Sequence, residues 1–263
     1  MTLPGGSGVM ADGEARVRDT KAGVTDLPVR LASAIVMLVL AGGALWLGGW
    51  FWTAFVALVA CGVLWEWNKL IGRFRLAGLG ETLWFFGGVV YVGGATLAME
   101  IVRNGLTHVF PDSPIRGYGP LEVLLVFLLP IVAVDVGAYF AGRAIGGPKI
   151  APRISPAKTW AGLFGGALLA GLVGIAVELA DIGPAAVPGF NWISIAGAVF
   201  GGLLIAVIAQ SGDFFESWMK RRAGVKDSGS LIPGHGGLFD RLDGFVAVFF
   251  VLFVIATATT LLG

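Results

Sequence analysis

Charge and cysteine are both scarce in this chain of 263 residues. Asp, Glu, Lys and Arg together make up 13% of it, hydrophobic residues make up 56%, and the mean hydropathy is +0.85. A soluble domain typically carries about 25% charged residues, so this scarcity argues against a soluble enzyme and predicts a polytopic membrane protein. The single cysteine, Cys61, excludes an intrachain disulfide. A net charge of +1, without any soluble nucleic-acid-binding motif, indicates no nucleic-acid partner.

Long apolar runs are abundant instead. Seven of them approach the roughly 20 residues needed to cross a bilayer, and they lie near 30–47, 50–65, 82–101, 121–142, 159–179, 192–212 and 244–262. The predicted fold class is therefore all-α. We expect an integral membrane bundle of about 7 to 9 transmembrane helices with a polar cavity that faces the cytoplasm.

Composition divides the chain into three parts. Residues 1–27 are polar, rich in glycine and without periodicity, which predicts a disordered cytoplasmic tail. Residues 28–119 are expected to form the N-terminal transmembrane helices. Residues 120–263 are expected to form a catalytic transmembrane region, because most of the unusual polar residues fall there.

Lys and Arg are distributed unevenly between the two sides of this bundle. Sixteen are expected on one side: fifteen fall in residues 1–27 or in the alternate loops at 66–81, 143–158 and 213–243, and Arg30 lies just after the tail. Only Arg103 and Arg116 fall on the opposite side. Cytoplasmic loops of membrane proteins carry an excess of Lys and Arg. The pattern predicts that residues 213–243 lie in the cytoplasm. The membrane is expected to be a bacterial-type inner (plasma) membrane.

One polar segment lies at the end of the fourth apolar run. Asp135 stands in the apolar sequence "PIVAVDVGAYF", where a carboxylate should face a polar cavity, a cation or a metal ion. Tyr139 and Arg143 follow at intervals of four residues, so all three share one helical face. A structural Asp–Arg ion pair is the alternative interpretation.

The sequence "SPAKTW" at residues 155–160 predicts the start of the fifth helix. It places Ser155, Lys158 and Thr159 near the helix N-terminus, with Pro156 in the first turn. Free N–H groups beside Lys and Thr suit phosphate oxygens. We expect Lys158 to bind a phosphate group on a wall of the cavity opposite the metal site.

A second polar segment spans residues 210–244. Asp213 and Glu216 share a helical face, and Asp240 and Asp243 share another if the last helix begins near Gly237. Grouped carboxylates repel one another unless a cation joins them, and Mg²⁺ is usually held by a few carboxylates together with water and substrate phosphates. Nearby glycines allow close approach of a ligand to the backbone. The segment therefore predicts a site for a metal ion and phosphate groups.

The residues of this segment follow a long, spaced pattern that resembles the signature of phosphatidate cytidylyltransferases, also called CDP-diacylglycerol synthases. The signature occupies residues 217–243, and its polar positions are Ser217, Lys220, Arg221, Lys226, Asp227, His235, Asp240, Arg241 and Asp243. The segments "DVGAYFAGR" and "SPAKTW" resemble the same family, so the likeness covers roughly residues 120–260.

This resemblance implies an integral helical enzyme, usually a homodimer. It would convert CTP and phosphatidate to CDP-diacylglycerol and pyrophosphate in phospholipid biosynthesis. Mg²⁺ is the implied cofactor, with a monovalent cation such as K⁺ as a second candidate. By motif position, Asp213 and Asp240 are the implied metal ligands, and Asp227 and Asp243 are the next candidates.

The remaining roles follow from what cytidylyl transfer requires, which is charge neutralisation, alignment and a stabilised leaving group. His235 is expected to donate to phosphate rather than to act as a base. The expected catalytic residues are Asp213, Asp227, Asp240, Asp243, Lys226, His235 and Arg241. The expected substrate-binding residues are Asp135, Tyr139, Arg143, Ser155, Lys158, Thr159, Ser217, Lys220 and Arg221.

Two other functions compete with this one. An ion or lipid transporter would use the intramembrane carboxylates as a path, but the polar residues cluster at one face instead of following a track. A CDP-alcohol phosphotransferase would share the start of "DRLDG" at residues 240–244. The continuation of that sequence carries no charge, which excludes the second alternative.

Overall fold

The computed structural model describes residues 8–105, 120–179 and 192–262. His108 and Arg116 of the loop between the third and fourth runs lie outside these residues, as do the first seven residues of the tail. The helices and strands, in chain order, are α1 (Gly8–Leu47), α2 (Gly49–Ile71), α3 (Leu79–Glu100), a π-helical turn (Ile101–Gly105), α4 (Pro120–Ala144), β1 (Lys149–Ala151), β2 (Ser155–Thr159), α5 (Trp160–Leu179), α6 (Trp192–Ala223) and α7 (Phe239–Leu262).

Seven helices in the described residues are long and apolar enough to cross a membrane. These spans are Leu27–Leu47, Gly49–Ile71, Leu79–Arg103, Leu124–Ala144, Trp160–Val177, Ile195–Ala223 and Phe239–Leu261. They correspond to the seven apolar runs, so the prediction of an all-α polytopic membrane protein is confirmed. The side of the membrane on which each end lies stays a prediction.

Helix α1 differs from the expectation for the N-terminal tail. Its backbone is helical from Gly8 onward, across most of the segment for which composition predicts disorder. Ala, Glu, Arg and Lys in "DGEARVRDTKAG" are good helix formers even though the segment is polar. A polar composition therefore did not preclude a helix there.

The start of α5 differs from its prediction by about one turn. Ser155 lies in strand β2, opposite Ala151 of β1 in an antiparallel hairpin, and α5 begins at Trp160. Pro156 is tolerated because this two-stranded hairpin has free edges, where a missing N–H costs no ladder hydrogen bond. Thr159 is the helix cap, since its Oγ1 accepts a hydrogen bond of 3.1 Å from Gly162 N. The helix-start prediction was wrong for Ser155 and right for Thr159.

Glycines set the closest approaches between the helices that surround the polar residues. A Cβ atom on Gly212 of α6 would lie 2.5 Å from the Asp243 carbonyl oxygen of α7. A Cβ atom on Gly166 of α5 would lie 2.8 Å from the Val134 carbonyl oxygen of α4. Small residues allow backbones to come this close in a membrane. As a result α4, α5, α6 and α7 bring their polar positions together at one end of the bundle.

The orientation can be tested with an introduced cysteine. Ser230 is exposed in the loop between α6 and α7, and in a Cys61→Ala background Ser230→Cys should react with a membrane-impermeant maleimide only from the cytoplasmic side. Trp50→Cys, at the opposite end of the bundle, is the matched control and should react from outside. Labelling of Ser230→Cys in intact cells would contradict the cytoplasmic assignment.

Candidate active site

The loop that joins α6 to α7, here called the signature loop (residues 224–238), is held in shape by its own backbone. Ile232 N donates to Gly236 O at 3.0 Å, and His235 N donates to Ile232 O at 3.0 Å. Gly234 and Gly236 have φ angles of 75° and 88°, in a region that residues with side chains rarely adopt. These turns fold the loop back against α2.

A carboxylate of α2 holds both ends of the signature loop. Glu66 is fully buried, and it accepts hydrogen bonds from Leu238 N to Oε1 at 3.0 Å and from Phe239 N to Oε2 at 2.8 Å. Ser228 Oγ lies 2.9 Å from Glu66 Oε2. The free N–H groups at the start of α7 favour a negative charge at this position. Glu66 was not among the residues predicted from the sequence, although a carboxylate in an apolar run is the signal that singled out Asp135.

Two glycines of the signature loop are required by this contact. A Cβ atom on Gly237 would lie 2.7 Å from Glu66 Oε2, and one on Gly229 would lie 2.6 Å from Glu66 Cδ. Both distances are shorter than real Cβ contacts. The sequence pattern suggested that these glycines allow the close approach of a ligand, whereas in the structure they make room for Glu66.

Asp240 is linked to Glu66 through the Ser228 hydroxyl. Its Oδ2 accepts hydrogen bonds of 2.9 Å from Ser228 N and from Gly237 N, and Ser228 Oγ lies 2.9 Å away. Its Oδ1 accepts a hydrogen bond of 2.7 Å from Lys220 Nζ. Both carboxylate oxygens are thus bonded to groups of the chain itself. Asp240 fixes the signature loop to the first turn of α7.

Lys220 lies between two carboxylates. Its Nζ is 2.7 Å from Asp240 Oδ1 and 2.7 Å from Glu216 Oε2, one turn earlier on α6. Glu216 is 1% exposed, and Oε1 of that side chain has no hydrogen-bond partner among the described residues. A single ammonium therefore contacts two carboxyl groups that are buried or largely buried. We call Glu66, Glu216, Lys220, Ser228 and Asp240 the buried network.

A second group of charges lies beside the buried network and involves different helices. Lys158, just before α5, forms an ion pair with Asp213 of α6. The Lys158 ammonium also interacts electrostatically with Asp135 of α4 and Asp243 of α7. We call these four residues the carboxylate cluster. It contains three carboxylates and one ammonium, which leaves an excess of negative charge.

The protonation of Lys158 is decided by two opposing effects. Burial by itself would lower the pKa of the ammonium, because a charged group is costly away from water. The adjacent Asp213 carboxylate acts in the other direction, with smaller contributions from Asp135 and Asp243, and the pKa of Lys158 is raised above the ordinary lysine value. Lys158 therefore carries its positive charge at neutral pH.

A polar cavity of about 320 Å³ opens beside the carboxylate cluster. It brings together five of the residues predicted to bind substrate, namely Asp135, Tyr139, Arg143, Lys158 and Thr159. Arg143 Nη1 donates to Tyr139 Oη at 3.0 Å, and no ion pair joins Arg143 to Asp135 among the described residues. Gln210 of α6 also lines this cavity and is 5% exposed, and it was not predicted from the sequence.

The prediction that Lys158 lies across the cavity from the carboxylates expected to bind the metal ion is wrong. Lys158 was predicted to lie on a wall opposite the expected ligand Asp213, but the two side chains form an ion pair. The hairpin β1–β2 projects the lysine toward α6, because α5 begins only at Trp160. Ser217 Oγ lies 3.4 Å from Asp213 Oδ1, on the same face of α6.

Other predicted residues belong to neither group. Lys226 and Asp227 are exposed and line a second cavity, of about 330 Å³, together with Lys69 and Arg73 near the end of α2 and Ser228 of the buried network. Ser155 does not line the polar cavity.

The last three predicted residues are His235, Arg241 and Arg221. Their contacts involve the signature loop and the hairpin. His235 Nδ1 lies 2.9 Å from Ser33 Oγ of α1, and the His235 carbonyl oxygen accepts a hydrogen bond of 2.7 Å from Arg241 Nη2. Arg221 Nε points to the Ile154 carbonyl oxygen at 3.5 Å. In the structure these side chains connect the signature loop with α1 and α6 with the hairpin.

Comparison with known proteins identifies the family. Residues 82–259, more than half of the chain, match the profile of the cytidylyltransferase family. This chain belongs to the cytidylyltransferase family. A protein of Brucella suis biovar 1 named phosphatidate cytidylyltransferase is 33% identical over 273 residues, which cover 88% of this chain and 93% of the relative. A protein of Pseudomonas aeruginosa with the same name is 32% identical over 262 residues, covering 84% and 93%. A third protein of that name, from Haemophilus influenzae, is 40% identical over 151 residues, which cover 56% of this chain and 48% of the relative.

Membership of the cytidylyltransferase family makes the protein a nucleotidyltransferase and raises the question of a metal ion. No set of three or more His, Cys, Asp or Glu side chains is arranged to chelate a metal within residues 8–105, 120–179 and 192–262. Mg²⁺ does not require such a set, since one or two carboxylates complete its coordination with water and substrate phosphates. The excess negative charge of the carboxylate cluster fits a divalent cation, and Asp213 and Asp243 are its candidate ligands. Asp240 is less suited because its Oδ2 already accepts hydrogen bonds from two backbone N–H groups, those of Ser228 and Gly237.

The contribution of Glu66 to stability can be measured directly. Glu66→Ala removes an acceptor from two backbone N–H groups and from Ser228, and hydrogen bonds to a charged group are worth about 1.5–3 kcal/mol each. We expect a large decrease in the thermal unfolding midpoint of the detergent-solubilised protein, with Glu66→Gln less affected because it keeps one carbonyl oxygen.

Glu81, an exposed carboxylate of the first turn of α3, provides the matched control. Glu81→Ala should leave the unfolding midpoint unchanged. Equal midpoints for Glu66→Ala and Glu81→Ala would show that Glu66 does not hold the signature loop.

Proposed function

We propose that this protein transfers the cytidylyl group of CTP to phosphatidate and releases CDP-diacylglycerol and pyrophosphate. The observation that carries the proposal is the carboxylate cluster with its adjoining polar cavity, which lies at one end of a bundle of membrane-spanning helices. A lipid phosphate and a nucleotide triphosphate can meet only at such an interface. The relatives named phosphatidate cytidylyltransferase, of which 93% is covered by the alignment, support the same conclusion.

The reaction requires no nucleophilic side chain. An oxygen of the phosphatidate phosphate attacks the α-phosphorus of CTP and forms a P–O bond, while the bond from that phosphorus to the oxygen bridging to the β-phosphate breaks. The bonding electron pair leaves with pyrophosphate. Because the attacking oxygen is already anionic, the protein mainly has to neutralise charge and align the two phosphates.

We assign the metal site to Asp213 and Asp243. When bound, Mg²⁺ would supply positive charge to the phosphate oxygens and to the pyrophosphate leaving group. Asp213 and Asp243 would hold it through carboxylate oxygens, and the Lys158 ammonium compensates part of their negative charge. We assign Asp240 to holding the signature loop, because its oxygens accept hydrogen bonds from Ser228, Gly237 and Lys220.

The cations of the polar cavity are proposed to bind phosphate groups. Lys158 and Arg143 both line the cavity, and Arg143 is positioned by its hydrogen bond to Tyr139. Arginine and lysine form charge-assisted hydrogen bonds to phosphate. We further propose that the cavity faces the cytoplasm, where CTP is available, and that the protein acts as a homodimer in the bacterial inner membrane. The Lys and Arg distribution supports that orientation.

The transporter interpretation is not favoured. A transport path needs polar groups spaced through the bilayer. Three ion pairs, Lys158–Asp213, Lys220–Glu216 and Lys220–Asp240, lie together at one end of the bundle.

The proposed activity can be tested with the purified protein in detergent micelles that contain phosphatidate. With radiolabelled CTP and Mg²⁺, we expect a labelled lipid product and an equal amount of pyrophosphate. Asp213→Asn and Asp243→Asn should each lower the rate by at least about 100-fold, since each removes a carboxylate that stabilises a metal ion.

Glu81→Gln, which neutralises an exposed carboxylate that belongs to neither charged group, should keep the wild-type rate. Absence of a CTP-derived lipid from the wild-type protein would refute the proposed function. Near-normal rates for Asp213→Asn or Asp243→Asn would show that the metal ligands are assigned to the wrong carboxylates.

Replacing Lys158 should change both the reaction rate and the Mg²⁺ concentration that gives half-maximal activity. Lys158→Met removes a charge-assisted contact to phosphate and should lower the rate about tenfold to a hundredfold. It also removes the cation that pairs with Asp213, so half-maximal activity should need less Mg²⁺. Lys149→Met, an equivalent change at an exposed position of β1, should alter neither quantity. An unchanged Mg²⁺ dependence in Lys158→Met would show that Lys158 does not influence the binding of the metal ion.

A further inference from the structure

A large apolar cavity lies on the opposite side of α6 from the polar cavity. We call it the aromatic groove. It is an open groove lined by residues of α2, α3, α6 and α7, with a volume of about 760 Å³. Its main lining residues are Trp67, Trp84, Gly87, Tyr91, Phe215 and Phe250. Ligand pockets in proteins commonly measure about 300–1,000 Å³, so the groove is large enough for a bound molecule.

The depth of the aromatic groove matches half of a bilayer. On α3 its lining extends from Leu83 to Tyr91, which is about 12 Å along a helix at about 1.5 Å per residue. One leaflet contributes about 15 Å of the roughly 30 Å hydrocarbon core. Trp67 of the groove contacts Phe215 and also Phe239, the first residue of α7, with ring centroids 5.8 Å and 5.9 Å apart. The groove therefore occupies the leaflet nearest to the signature loop.

The walls of the groove consist mainly of packed aromatic rings and offer little to a polar ligand. The rings of Trp84 and Phe215 stack with an interplanar angle of 12°, and Trp67 Nε1 donates to the Trp84 carbonyl oxygen at 3.0 Å. The Ser211 hydroxyl at its edge already donates to the Val207 carbonyl oxygen at 2.7 Å. A flexible hydrocarbon chain suits these walls better than a nucleotide does, because it has no hydrogen bonds to lose.

One end of the groove adjoins the carboxylate cluster. Gly212 lines the groove, and its neighbour in the sequence, Asp213, forms the ion pair with Lys158 on the other side of α6. Gly212 also packs against the backbone of Asp243. A lipid whose chain lies in the groove would thus have its headgroup at the cluster that is proposed to hold the reacting phosphates.

We propose that the aromatic groove binds an acyl chain of the phosphatidate substrate and selects lipids by chain length. This inference rests on the proposed function and adds to it a binding site for the apolar part of the lipid.

Gly87 allows the groove to be filled without disturbing the fold. A Cβ atom at Gly87 would have no heavy atom within 4 Å, so Gly87→Leu can place its side chain in the groove. A Cβ atom at Gly93 on the same helix would likewise have no heavy atom within 4 Å, and Gly93 does not line the groove, so Gly93→Leu is the matched control. Gly88 is unsuitable because a Cβ atom there would collide with the Trp67 indole.

The main measurement is the KM for phosphatidates of different acyl length. Gly87→Leu should raise the KM for a dipalmitoyl phosphatidate about tenfold, because even one methylene in an apolar pocket changes discrimination by about tenfold or more. The KM values for dihexanoyl phosphatidate and for CTP should stay at the wild-type values. Gly93→Leu should match the wild type with every substrate. Equal chain-length profiles for Gly87→Leu and the wild type would overturn the proposal, as would an equal loss with long and short chains.

A second measurement does not depend on turnover. Phosphatidate carrying a photoreactive diazirine near the end of one acyl chain should label residues of α3, α6 and α7 that line the groove, and unlabelled phosphatidate should compete. Labelling should decrease in Gly87→Leu but not in Gly93→Leu. Adducts confined to the outer faces of the bundle would refute acyl-chain binding in the aromatic groove, even if the enzyme is active. If the wild type formed no CDP-diacylglycerol, the proposed function would fail, while competed adducts in the groove would still support a lipid chain there.

Discussion

An unpaired carboxylate is costly inside a membrane, and this cost organises the polar end of the bundle. Glu66, Glu216 and Asp240 are all buried or largely buried, and each has a specific partner. Glu66 is satisfied by the N–H groups at the start of α7 and by Ser228. Lys220 contacts the carboxyl groups of the other two. These contacts fix where α7 begins relative to α2 and α6.

Because α7 begins where Glu66 holds it, the position of Asp243 follows. Asp240 and Asp243 are one turn apart, so the contacts that anchor Asp240 also set the depth and direction of Asp243. Gly212 then allows α6 to approach the Asp243 backbone closely enough for Asp213 to join the same cluster. A buried network that contacts no substrate in our proposal thus positions the carboxylates that would hold the metal ion.

Helix α6 has two functions that depend on its two faces. One face presents Gln210 to the polar cavity and Asp213 to Lys158, while the other presents Ile208, Phe215 and Gly212 to the aromatic groove. A phospholipid has the same division between a charged headgroup and apolar chains. A single helix can therefore contact both parts of a lipid substrate, provided that its backbone lies at the boundary between them.

The sequence by itself determined the membrane class, the seven spans, the family and most of the polar residues at the site. Hydropathy, charge and a spaced signature are properties of neighbouring residues, so they can be read along the chain. Five predicted residues, Asp135, Tyr139, Arg143, Lys158 and Thr159, do share one cavity. Only the tertiary structure decided which charges pair. Glu66 bonds Phe239, 173 residues away, and Lys158 pairs with Asp213 instead of standing opposite it. Such partners depend on how helices pack and on where a hairpin ends, and neither leaves a periodic signal in the sequence.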